Sequence, residues 1–106
     1  MNNSPIIGLL GLCRRADYLI IGGDTLKDYK KKLYLVVTNK QPSKNITKIA
    51  LQCSEKYNIL AIELIDEELG EIIGIKGCQI VGIKNLGMVN QILEKCSTAY
   101  KIIKRC

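Results

Sequence analysis

Apolar residues recur along this chain in two rhythms, and each change of rhythm marks an element. Behind Ser4-Pro5, residues Ile6, Leu9, Leu10 and Cys13 repeat at helical spacing, which predicts a helix reaching about Ala16 with Pro at its first position. Tyr18 to Ile21 is a short apolar run stopped by Gly22-Gly23, which suits a short strand. Asp24 or Thr25 then caps a short charged helix over Leu26 to Lys31. Leu33 to Val37 is a continuous β-prone run, as expected of a central strand covered on both faces.

Turn chemistry follows from Asn39 to Lys44, with Ser43 placed as an N-cap. Ile46, Ile49, Ala50, Cys53 and Tyr57 then form the stripe of an amphipathic helix that Asn58 ends. Ile59 to Leu64 reads as a second buried strand. Asp66 caps a short helix with Leu69, Ile72 and Ile73 on its apolar face, ended by Gly74. Gln79 to Ile83 is a further strand. Asn85 caps a last helix, whose stripe is Val89, Ile92, Leu93, Cys96, Tyr100 and Ile103.

Four strands alternating with helices imply an α/β chain: a three-layer α/β/α sandwich around a four-stranded mixed sheet. The 106 residues hold one domain without linkers or repeats. Phe and Trp are absent, so Ile, Leu and Val must build the core.

Net charge is +6, unevenly spread. Residues 13–48 carry +6, residues 54–71 carry −5, and residues 72–106 carry +5. Such polarity predicts one basic and one acidic surface. A basic surface suits a polyanion, because each neutralised phosphate releases counterions. No stretch of 18 apolar residues occurs and no basic segment precedes the first apolar run, so neither a membrane span nor a secretory signal is expected.

The five cysteines (Cys13, Cys53, Cys78, Cys96 and Cys106) form no C-x-x-C pair and have no His to complete a zinc site. They read as reduced thiols of a cytoplasmic protein, with Cys13, Cys53 and Cys96 on apolar stripes. Lack of His also removes the commonest general base. Asp66, Glu67, Glu68 and Glu71 complement a helix dipole rather than form an acid–base pair. Cys78 has no activating base, and Gly22-Gly23-Asp24 lacks the Lys-Ser/Thr of a phosphate-binding loop. No catalytic residue, metal site or cofactor is expected.

Three turn segments suit recognition. Gly22-Gly23-Asp24-Thr25 opens a helix and offers backbone N–H groups to a phosphate or a base edge. Thr38-Asn39-Lys40-Gln41 follows the central strand. Gly74-Ile75-Lys76-Gly77-Cys78 is a glycine-framed loop of apolar and basic residues, able to lie flat on exposed bases. The same residues also make plain turns, and both readings stay open here.

Several ordered segments carry a family resemblance: LLGLCRRADYLIIGGD, LYLVVTNKQPSKNITKIALQCSEKYNI with its S-x-N-x-x-K helix start at Ser43, Asn45 and Lys48, LGEIIGI, and CQIVGIKNLGMVNQIL. Together, over about residues 6–93, they resemble the kink-turn-binding ribosomal proteins of the L-seven-Ae and L-thirty-e type, nearest the short bacterial YlxQ-like members. The resemblance implies binding of structured RNA, either kink-turn-like or ribosomal and translation-associated. It implies contacts from Gly22, Gly23, Asp24, Thr25, Lys27, Asn39, Lys40, Ile75, Lys76 and Gly77. Arg14 and Arg15, before the glycine turn, and Lys31 would reach phosphates, with Lys30 and Lys32 beside it. Family members carry G-x-N-E-x-x-K at the glycine turn, where this chain has Asp24, Thr25 and Asp28. The alternative expectation is a protein-interaction adaptor that uses the acidic segment from Glu63 to Glu71.

Overall fold

A buried β-prone run with helices before and after it needs two covered faces, and the chain supplies both. In a computed structural model, which describes residues 4–103, β2 (Leu35–Thr38) lies mid-sheet and is buried along its whole length. Its partners are β4 (Ile80–Ile83), antiparallel, and β3 (Leu60–Leu64), parallel. Outside them pair β1 (Leu19–Ile21) with β4 and β5 (Tyr100–Ile102) with β3, both antiparallel, giving the order β1-β4-β2-β3-β5.

Alternation along the strands sorts side chains into two clusters. Leu35, Val37, Ile62, Leu64, Val81 and Ile83 pack with α1 (Pro5–Arg15), α4 (Leu69–Ile73) and α5 (Leu86–Lys95). Val36, Ala61 and Ile80 pack instead with Leu26 of α2 (Gly23–Asp28) and with Ile49, Ala50 and Cys53 of α3 (Lys44–Tyr57). Cys13, Cys53, Cys78 and Cys96 are all buried free thiols. Cys106 lies outside the described residues.

Several predicted ends are confirmed by their hydrogen bonds. The Ser43 hydroxyl accepts from Ile46 N, and Asn85 Oδ1 accepts from Met88 N at 2.9 Å, so both are N-caps. Asn58 ends α3 in the left-handed region at φ 55°.

Three expectations are corrected. The sheet has five strands, not four, because α5 stops at Lys95. A turn through Ser97 and Thr98, closed by Ala99 N donating to Cys96 O at 2.8 Å, sends Tyr100 back along β3. Tyr100 and Ile103 fit the helical stripe only by spacing. The open edge of β3 offers unpaired backbone groups, and pairing with them wins over one more helical turn. Next, α2 starts at Gly23 rather than Leu26, since Gly22 takes φ 95° and lets the helix begin at once. Lys30, Lys31 and Lys32 therefore lie in an irregular connection after it. Finally, α4 starts at Leu69, its first N–H held from a distant loop rather than by Asp66.

Gly70 fixes how α4 meets the loop before β4. A Cβ there would stand 2.6 Å from the Ile75 carbonyl oxygen and 3.3 Å from Gly77 N. Gly70→Ala should therefore lose about 1–3 kcal/mol in urea unfolding. Gly8, inside α1 with nothing within 4 Å of its Cβ position, should gain about 0.5–1 kcal/mol as Ala.

Candidate nucleic-acid interface

Antiparallel pairing brings the three predicted loops to one end of the sheet. The end of β1 meets the start of β4 (Ile21 opposite Val81), and so does the end of β2 (Thr38 opposite Ile80). Gly22 N donates to Ile80 O at 3.0 Å and Asn39 N to Gln79 O at 2.8 Å. The Gln79 side chain extends the tie, accepting from Ser43 N at 3.1 Å. Thus the glycine turn, the loop after β2 and the loop before β4 share their anchoring residues. Strands β2 and β4 are antiparallel neighbours, so the loop that follows β2 and the loop that precedes β4 meet at one end.

Because β3 runs parallel to β2, the acidic segment after it arrives at the same end. Glu68 and Leu69 take hold of the loop after β2. Asn39 Nδ2 donates to Glu68 Oε2 at 3.1 Å, while Asn39 Oδ1 accepts from Leu69 N at 2.9 Å. Lys40 Nζ sits 3.7 Å from Glu68 Oε1 and donates to Asp66 O at 3.4 Å. Gln41 N donates to Glu63 Oε2, which Lys101 also approaches at 3.6 Å. An open depression of about 560 Å³ lies above this network, bordered by Asn39, Ser43, Glu68, Gly77 and Gln79.

Each implied contact residue has a definite place. Gly22 and Gly23 form the turn, and Asp24 and Thr25 are exposed on the first turn of α2. Lys76 and Gly77 stand exposed at the loop tip, Gly77 at φ 80°. Ile75 is half-buried against the core, with its N–H bound to Gly70 O at 2.9 Å. Asn39 and Lys40 have their polar ends engaged by Glu68 and its neighbours. Arg14 and Arg15 end α1 and lead into Leu19, which pairs with Ile83 at the opposite end of the sheet. Lys31 lies before Tyr34, whose N–H also bonds Ile83 O, so it too belongs to that far end. Lys27 is on the exposed side of α2, beside a groove shared with Lys56 of α3.

Glu68, Gln79 and Lys56 complete this picture; Glu68 was read from sequence only as a helix-dipole partner within the acidic segment, and the roles of Gln79 and Lys56 were not foreseen. Glu68 and Gln79 act across 29 and 36 residues of chain, which no local pattern reveals. Lys56 had a signal: Lys48, Gln52 and Lys56 repeat every fourth residue off the apolar stripe.

Burial pushes the Cys13 thiol up to about 11 and raises Cys53, Cys78 and Cys96 as well. None is therefore a ready thiolate near neutral pH. Among the described residues no three Cys, Asp or Glu converge as a metal-ligating group, and no helix is long and apolar enough to cross a membrane.

Two measurements follow from these bonds. Asn39→Ala leaves Leu69 N without its acceptor and should lose about 1–2 kcal/mol in urea unfolding, whereas Lys40→Ala, at a half-exposed ion pair, should change stability by less than about 1 kcal/mol. Since the folded chain holds its thiol protons to higher pH than the unfolded chain, the urea midpoint should fall as pH climbs from about 9 towards 11.

No protein-family model matches this chain, and no curated protein does. Among solved structures it is similar to one described as "a protein with unknown function from Bacillus halodurans C", with a TM-score of 0.75 and 21% identity over 90% of this chain and 99% of that one. At that identity the likeness concerns the fold.

Proposed function

We propose that this protein binds structured RNA without catalysis, as a three-layer α/β/α domain of the kink-turn-binding ribosomal type. The observation that carries the reading is the meeting of the glycine turn, the loop after β2 and the loop before β4 at Gln79 and Ile80. The first N–H groups of α2, beside Gly22 and Gly23, suit a phosphate or a base edge. Lys76 and Gly77 form the exposed tip, where a cation and a backbone without a side chain can lie against an unpaired nucleotide. In this reading Asn39 and Lys40 act from beneath, holding the acidic segment so that the depression keeps its shape. The RNA is ribosomal or translation-associated, in the cytoplasm.

A protein-interaction adaptor is the second reading. In its favour, Leu60, Ile65 and Ile102 are 42–48% exposed near the β3–β5 edge, on the same side of the sheet order as the acidic segment. Against it, Glu63 and Glu68 are already engaged within the chain.

Binding of the purified protein to a kink-turn RNA, a plain duplex and a single strand across a salt series tests the proposal. The kink-turn RNA should bind about tenfold or more tightly than the other two, and the preference should persist as salt rises. Lys76→Ala should weaken every RNA by a similar factor. No binding to any of the three at low salt would remove the RNA reading and put the adaptor first.

A further inference from the structure

The loops at the sheet end carry little unopposed positive charge. Lys40 is paired to Glu68, and Asp24, Asp66, Glu67 and Glu71 stand on the glycine turn, on the segment after β3 and on α4. Attraction for a phosphate chain has to come from another part of the surface.

The helices on the β2 face that holds Val36 provide it. Helix α2 and the connection after it carry Lys27, Lys30, Lys31 and Lys32, and α3 carries Lys44, Lys48 and Lys56. Asp24, Asp28 and Glu55 are the acids of the same segments, leaving a net +4. All seven lysines are exposed. Those other than Lys56 form no ion pair or hydrogen bond with a described residue; Lys56 Nζ donates to Tyr29 O at 3.4 Å and lies 5.1 Å from the centre of the Tyr57 ring.

Packing sets α2 and α3 side by side and running the same way. At the start of α2, a Cβ on Gly23 would meet Ile49 Cδ1 at 2.9 Å. Just past its end, the Tyr29 carbonyl accepts from Lys56 and from the Tyr57 hydroxyl. Between the helices runs a shallow groove with Lys27 on one bank and Gln52 and Lys56 on the other. Lys48 and Lys56 are two turns apart on α3, about 12 Å along its axis, which is the scale of a short run of backbone phosphates. The face begins at the glycine turn, so a strand leaving that turn passes directly onto it.

Resting on the RNA-binding reading above, we propose that the α2–α3 face is the phosphate-tracking surface, taking the duplex arm next to the nucleotides held at the sheet end. Lys27 on α2 and Lys48 on α3 anchor its backbone. Arg14 and Arg15 end α1, which packs on the opposite face of the sheet, and take no part. Contacts of this kind neutralise charge without reading bases, so they set affinity and salt dependence and leave selectivity to the loops.

The test compares the wild-type chain, Lys27→Ala/Lys48→Ala, Lys27→Arg/Lys48→Arg and Arg14→Ala/Arg15→Ala, each binding a kink-turn RNA and a plain RNA duplex across a salt series. The first variant should lower the slope of log affinity against log salt by about two and weaken both RNAs roughly tenfold, with the ratio between them unchanged. The arginine replacements should restore binding, and the Arg14/Arg15 variant should match wild type. All changed side chains are exposed, and circular dichroism is the check that each variant is folded. An unchanged slope in the first variant, with wild type binding RNA, would overturn this inference and leave the RNA function standing. Wild-type protein that binds neither RNA, or only sediments with phosphatidylserine vesicles, would overturn both.

Discussion

Two carbonyl groups at the start of β4 hold the candidate site together. Gln79 O accepts from Asn39 N and Ile80 O from Gly22 N, so two consecutive residues where β4 begins fix where two other strands stop. Everything at that end of the sheet follows from this register. The glycine turn can open α2 only because β1 ends beside Ile80. The loop after β2 can reach Gln79 through Ser43 only because β2 ends there too. The loop before β4 is held from the other side by Gly70, whose missing Cβ admits the Ile75 carbonyl. A buried ladder of this kind is hard to shift, since a slip by one residue would exchange the two faces of β4 and push Val81 and Ile83 into the space that Ile80 and Gly82 fill against α2 and α3.

Charge is arranged on that frame in a way that total charge conceals. Part of the acidic segment is spent on contacts within the chain. It arrives beside the loop after β2, where Glu68 holds Asn39 and Lys40, and Glu63 holds the Gln41 backbone and Lys101. The positive charge of Lys40 and Lys101 at the sheet end is thereby offset by carboxylates, while the segments of α2 and α3 keep a net positive charge. In the proposed RNA-binding reading, shape selection and phosphate attraction are divided between these two adjoining surfaces.

The course of the helices and strands could be read from the chain almost to Lys95. Leu33 to Val37 read as an interior strand, which forms over Leu35–Thr38, and the Ser43 and Asn85 caps were visible from their spacing to the stripes behind them. The misread part was the C-terminal end. Cys96, Tyr100 and Ile103 satisfy helical spacing as well as any true stripe, and Ser97 and Thr98 are only weak breakers. What turns the chain is the unpaired edge of β3, which does not exist until the sheet has formed.

For the site, local sequence marked the three loops as unusual, through their paired glycines and short polar residues, because backbone conformation and capping are decided within a few residues. It also carried the charge of every residue. It could not say which charges would neutralise one another, because Asn39 and Glu68, or Gln79 and Ser43, meet across about thirty residues through strand register alone. Nor could it separate Arg14 and Arg15 from the loops they precede in the chain, since β1 carries the backbone from one end of the sheet to the other in three residues. Element identity was therefore local information, set by hydrophobic period and caps. The grouping of side chains into a site was decided by the pairing of β4 with β1 and β2, a long-range choice made when the sheet buries both of its faces.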